Sequence, residues 1–113
     1  MDEKQLFYFD GGVGDILEVY EDKVIIKHKG ILNFFAMGIK GDKTIYYANL
    51  SSVEFKRAGL VSGRIQFSLL GGRESIGDAL SASSDENTIT FAKSTLNEEA
   101  EQIAEFINKK IGL

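Results

Sequence analysis

Hydrophobic and polar residues alternate strictly in two stretches near the middle of this chain. Val53 and Phe55 fall on one side and Glu54 and Lys56 on the other; Ile65, Phe67 and Leu69 are likewise set against Arg64, Gln66 and Ser68. A period of two predicts half-buried antiparallel strands whose apolar sides share one core. Residues 5–9 form a further aromatic-rich strand, followed by a turn over 10–14 whose glycines tolerate positive φ. Strands over 15–20 and 23–28 flank Glu21 and Asp22, the spacing of a tight hairpin. The strand pattern breaks over 30–42 and resumes at Thr44, Ile45, Tyr46 and Tyr47. Asn49, Leu50, Ser51 and Ser52 predict a polar turn, residues 71–87 a long exposed connection, and residues 88–91 a last strand.

The period then changes. Ala100, Ile103, Ala104, Ile107 and Ile111 recur at three- and four-residue steps, predicting one amphipathic helix. Asn97 or Thr95 is placed to cap its start, Thr95 with Glu98 as a capping box. Glu98, Glu99 and Glu101 suit the positive end of the helix dipole, and Lys109 and Lys110 the negative end. A helix with a wet apolar stripe must dock, so Ile103, Phe106 and Ile107 are expected to plug one end of a small β-barrel.

Length and composition fit this picture. The 113 residues, 43% of them hydrophobic, suffice for one domain with one core, assigned here to 1–113. The absence of cysteine removes disulfides, thiolate metal sites and cysteine nucleophiles, and suits a reducing, cytoplasmic setting. Met1, Asp2, Glu3 and Lys4 lack the basic and apolar regions of an export signal. The longest apolar stretch, 31–39, is broken by Asn33 and Gly38 and falls well short of the roughly 20 residues of a membrane span.

The net charge of -4 is unevenly distributed. Residues 1–22 carry a net -6, residues 23–73 a net +7 and residues 74–113 a net -5. A basic middle third can meet phosphate or an anionic membrane. In an antiparallel fold the three blocks interleave, however, and their charges can neutralise one another across neighbouring strands.

Seven or so strands followed by one helix is the order of the pleckstrin-homology-like fold. Gly41-Asp42-Lys43-Thr44-Ile45, Val53-Glu54-Phe55-Lys56-Arg57-Ala58-Gly59, Gly63-Arg64-Ile65-Gln66-Phe67-Ser68 and Asp85-Glu86-Asn87-Thr88-Ile89-Thr90-Phe91 together resemble the bacterial pleckstrin-homology-like domains of unknown function. The resemblance covers nearly the whole chain. It implies a mainly β protein, a barrel of about seven antiparallel strands in two near-orthogonal sheets capped by one C-terminal α-helix. It also implies a lipid- or protein-binding module without naming the partner.

Phosphoinositide-binding domains of this fold use Lys and Arg around the first hairpin connection. Here that turn contains Asp10 and Asp15 and no base, which argues against an inositol phosphate at that place. Gly12, Val13 and Gly14 lack the third glycine and following helix of a phosphate loop and read as a plain turn.

A stronger candidate surface is the insertion at residues 29–43. Ile31, Leu32, Phe34, Phe35, Met37 and Ile39 are bracketed by Lys27, His28, Lys29, Lys40 and Lys43. Clustered aromatics and Met suit an interface between proteins, self-association included. Apolar tips in a basic collar also suit an anionic bilayer, which ranks behind the protein contact, and the segment can also fold back over one end of the barrel as core.

Chemistry is poorly supplied. His28 is the only histidine and reads as a strand-end residue rather than a general base; no metal cluster can be built on it. Glu98, Glu99, Glu101 and Glu105 are explained by a solvated helix face, and Ser81, Ser83 and Ser84 by a linker. The acidic total and the lack of an aromatic-plus-basic strand motif disfavour nucleic acid. The sequence therefore points to a non-catalytic interaction module without cofactor or metal, contacting a protein or itself. The alternative is peripheral binding to an anionic phospholipid membrane through the 30–40 loop and its flanking lysines.

Overall fold

A computed structural model describes residues 4–28, 42–70 and 87–113. Among these residues seven strands precede one helix: β1 (Phe7–Asp10), β2 (Asp15–Val19), β3 (Lys23–His28), β4 (Lys43–Tyr46), β5 (Leu50–Lys56), β6 (Gly63–Leu69), β7 (Thr88–Phe91) and α1 (Asn97–Lys110). They form two antiparallel sheets, β1-β2-β3-β4 and β5-β6-β7. The β2–β3 hairpin turns through Tyr20, Glu21 and Asp22, as the spacing requires, with the Tyr20 N–H on the Lys23 carbonyl at 2.8 Å. The polar turn expected over 49–52 is displaced. A short 3-10 turn at Tyr47–Asn49 makes the corner, and Leu50, buried in the core, already begins β5.

The closed barrel expected from sequence is not formed as a continuous ladder. Among the described residues each strand pairs only within its own sheet, and these residues form two open sheets and one helix around a shared core. Side chains and close backbone approach bind the sheets at one corner. The Thr90 N–H of β7 donates to Asp15 Oδ2 of β2 at 2.8 Å. Gly11 abuts the Thr90 carbonyl so closely that a Cβ there would lie 2.2 Å from the oxygen.

The core draws on both sheets and the helix. Phe9 and Phe91 meet edge-to-face with centroids 5.4 Å apart, Phe55 stacks on Phe91, and Phe7 meets Phe106 at 5.4 Å. Ala100, Ile103, Ala104 and Ile107 are buried, as their spacing predicts. Burial of a single isoleucine contributes about 1.5–3 kcal/mol, enough for this stripe to fix the helix.

The ends of α1 depart from expectation in one respect. The N-cap is Leu96 rather than Asn97 or Thr95, and an aliphatic side chain makes no capping bond; Asn97 instead turns its amide toward the sheet. The C-terminal end closes on Gly112 at φ +94°, with the Leu113 N–H on the Asn108 carbonyl and the Gly112 N–H on the Lys109 carbonyl.

The charge blocks do interleave. Lys27 pairs with Glu18, Arg57 approaches Glu101, and Lys110 contacts Glu21.

Candidate functional site

Of the residues nominated from sequence, Lys27, His28 and Lys43 lie within the described structure. Lys29, Ile31, Leu32, Phe34, Phe35, Met37, Ile39 and Lys40 lie outside the described residues, as does the 71–86 part of the predicted connection. The three that are described do not act alike. His28 ends β3 facing inward, where its Nδ1 lies 2.8 Å from Asp15 Oδ1 and both side chains are only 4% exposed. Lys27 faces outward, with Nζ 3.0 Å from Glu18 and 3.8 Å from Asp42. The hydrogen bond to Glu18, helped by the charges of Glu18 and Asp42, holds its ammonium above the usual lysine range despite partial desolvation. Lys43 begins β4 opposite Ile26 and is half-buried.

Lys27 belongs to a larger surface, the outer face of the four-stranded sheet. Strand alternation turns Leu17, Val19, Val24, Ile26 and Ile45 inward and leaves Tyr8, Glu18, Ile25 and Thr44 aligned across the outside. Beside that row, Lys23 lies opposite Tyr46, its ammonium 5.0 Å from the Tyr20 ring centroid and 5.9 Å from that of Tyr46. Asp22 Oδ1 lies 3.9 Å from the same ammonium. The two rings hold the lysine stem down, and Lys23 is buried although it sits on the outer face. The Tyr20 hydroxyl donates to Glu18 at 3.2 Å; desolvation, then this bond, raise its pKa. Tyr8 and Tyr46 remain half exposed. The result is a tyrosine-rich face with charges of both signs fixed in place.

The Asp15–His28 pair is structural. Its carboxylate is shared between the imidazole and the Thr90 N–H, and neither side chain reaches solvent enough to meet a substrate. Among the described residues, no three His, Asp or Glu side chains converge as metal ligands. An open groove of about 440 Å³ runs past the C-terminal end of α1 between Tyr47, Leu50, Leu70 and Ile111. Lys110 on its lining is engaged by Glu21.

A family model described as a domain of unknown function, DUF4429, matches residues 20–108. The chain belongs to this family. The match runs from Tyr20 to Asn108 and so takes in β3 through β7 and most of α1 of this DUF4429 domain. No curated protein and no solved structure matches the chain.

Sequence reasoning passed over one surface of the DUF4429 domain, the tip of the β5–β6 hairpin. Leu60 is fully exposed and Val61 is 66% exposed. A signal was present in the chain: Gly59 and Gly63 bracket Leu60 and Val61 between two alternating stretches, leaving the pair no place in either strand. Also unread was the use of Asn97 and Asn108, whose amides grip the backbone of Ala58 and Val53. Among the described residues, no helix is long and apolar enough to cross a membrane.

Proposed function

We propose that this DUF4429 domain is a non-catalytic interaction module of pleckstrin-homology-like design, working in the cytoplasm and contacting a protein, a second copy of itself first among the candidates. The order of four strands, three strands and a C-terminal helix supports the fold assignment. The observation that carries the functional reading is the outer face of β1–β4. Tyr46 stands half exposed beside a lysine immobilised between its ring and that of Tyr20, and Tyr8, equally exposed, lies on the same face opposite Glu18. Tyrosines offer large contact area at low entropic cost and concentrate at protein interfaces. Adjacent fixed cations and anions, Lys23 with Asp22 and Lys27 with Glu18, let the same patch meet its own copy across a two-fold axis. The alternative, an anionic membrane bound through the 30–40 loop, receives less support: within the described residues Lys27 is held by Glu18 and Asp42, and His28 by Asp15.

Light scattering after size-exclusion chromatography tests the reading. The wild-type chain is expected as a defined oligomer, and Tyr8→Ser with Tyr46→Ser as a monomer with unchanged circular dichroism. A wild-type monomer at every concentration rules out self-association. A double variant that keeps the wild-type mass removes this face from the contact.

A further inference from the structure

We propose that the tip of the β5–β6 hairpin is a contact site for an anionic bilayer surface, in which Leu60 and Val61 enter the interface and Lys56 and Arg64 meet lipid phosphates. This surface is separate from the tyrosine face and does not depend on it.

Two independent observations carry the proposal. The first is an apolar tip presented by a rigid base. Leu60 is fully exposed and Val61 is 66% exposed, while the residues immediately below are pinned. Ala58 is held at both backbone groups by the Asn97 amide, at 2.7 and 3.0 Å. Gly63 packs so closely that a Cβ would lie 2.5 Å from the Phe91 ring. The Gly59 N–H closes the tip on the Val61 carbonyl at 2.9 Å. Two wet aliphatic side chains on a fixed mount gain little for folding, since Leu60 buries no area and Val61 remains mostly exposed, but their binding contact is already organised.

The second observation is a like-charge pair with no ion-pair partner among the described residues. Lys56 and Arg64 are directly opposite each other in the β5–β6 ladder, on the outward face. Like charges in that relation destabilise a sheet. Among the described residues neither has a carboxylate within ion-pair distance, whereas neighbouring Arg57 lies 4.0 Å from Glu101. An external anion beside the tip would relieve the repulsion.

The chemistry selects a bilayer over other anionic partners. Leu60 and Val61 are aliphatic and provide no ring on which nucleobases could stack. Two residues are too small a patch for a specific protein interface, which buries upward of about 1,000 Å². Aliphatic side chains in front of a pair of cations match the depth order of a membrane interface, acyl chain beneath phosphate.

Vesicle co-sedimentation of the full chain tests this. Binding is expected to vesicles of phosphatidylcholine with phosphatidylglycerol, to be absent with phosphatidylcholine alone, and to weaken with salt. Lys56→Ala and Arg64→Ala should each reduce it about fivefold, and Leu60→Ser with Val61→Ser at least about tenfold. All four positions are at least partly exposed, so circular dichroism should be unchanged. Tyr8→Ser with Tyr46→Ser should bind vesicles like wild type. The chain has no tryptophan, so Leu60→Trp supplies a single probe whose emission should shift to the blue on anionic vesicles. Failure to bind anionic vesicles, or binding unaffected by the Leu60/Val61 pair, overturns the proposal. So does an unshifted Leu60→Trp probe on vesicles that do bind, since the tip would then lie outside the interface.

Discussion

Asn108 holds Val53 by both ends of its amide: Nδ2 donates to the Val53 carbonyl at 2.8 Å, and Oδ1 accepts the Val53 N–H at 2.9 Å. Asn97 does the same to Ala58, just beyond the end of the same strand. The two asparagines are about three helical turns apart, on one side of α1, which runs beside the outer edge of β5. An edge strand exposes unpaired backbone groups that recruit other strands. Here the helix saturates the edge at two points, so β5 does not offer those groups for strand addition by a partner.

Removing either amide should therefore be expensive. Asn108→Ala leaves the Val53 N–H and carbonyl without their partner, at about 1–3 kcal/mol, and Asn97→Ala should cost a similar amount at Ala58. The sites share no partner, so the double variant should show the sum within about 0.5 kcal/mol. Urea unfolding of the three variants reads this directly. A loss well below 1 kcal/mol for both single variants would mean that water replaces the amides without penalty.

Gly63 and Gly59 make a contrasting pair in one hairpin. A Cβ at Gly63 would lie 2.5 Å from the Phe91 ring and 2.7 Å from both the Ala58 nitrogen and the Lys56 carbonyl oxygen, whereas at Gly59 it would meet nothing within 4 Å. The backbone atoms around Gly63 cannot swing aside. Gly63→Ala should lose about 1–3 kcal/mol as an overpacked site, with Gly59→Ala close to neutral, as thermal melts of the two variants would show.

Much of the architecture is legible in the chain because it rests on periodicity. Residues 88–91 form the strand that the pattern predicts, the 15–20 and 23–28 stretches form the predicted hairpin, and the helix buries Ile103 and Ile107. Polar side chains with two available uses were not legible. Asn97 has the residue type of a cap and instead satisfies a strand edge 39 positions away in sequence. Asp15 looks like an ordinary strand start, yet it ties the two sheets together across 75 positions. Leu60 and Val61 escape a reading that looks for apolar residues facing inward. Alternation tells which side of a strand is buried, not which long-range partner a buried polar group will find.

Asp15 should be the most sensitive polar position in the corner between the sheets. Its carboxylate serves the His28 imidazole and the Thr90 N–H at once, each at 2.8 Å, with the side chain almost wholly buried. Asp15→Ala deprives the buried His28 imidazole and the part-buried Thr90 N–H of this partner, and a loss of about 2–5 kcal/mol is expected. Asp15→Asn keeps one acceptor oxygen and should recover part of it. Amide hydrogen exchange at Thr90 gives a local check: protection there should fall in Asp15→Ala by more than the global loss of stability explains. Equal falls at Thr90 and across the β2–β3 hairpin would mean that the corner opens only with the whole fold.

Tyr47 is expected to set an alkaline limit on the stability of the fold. Its hydroxyl donates to the Tyr20 carbonyl, and burial, then the charges of Asp22 and Glu21, push the phenol well above its ordinary pKa of 10.0. The folded state thus keeps the proton more tightly than the unfolded chain does. Below pH 10 the phenol is neutral in both states and its contribution is fully present. As pH rises further the unfolded chain ionises first, and stability falls by up to about 1.4 kcal/mol per pH unit from this group. Tyr47→Phe should cost about 1 kcal/mol at pH 8 through the lost hydrogen bond, but that deficit should shrink and then reverse above pH 10, where the variant has no phenol to ionise. Urea midpoints for wild type and Tyr47→Phe at pH 8 and pH 11 decide it. Parallel losses in the two proteins would mean that other groups set the alkaline limit.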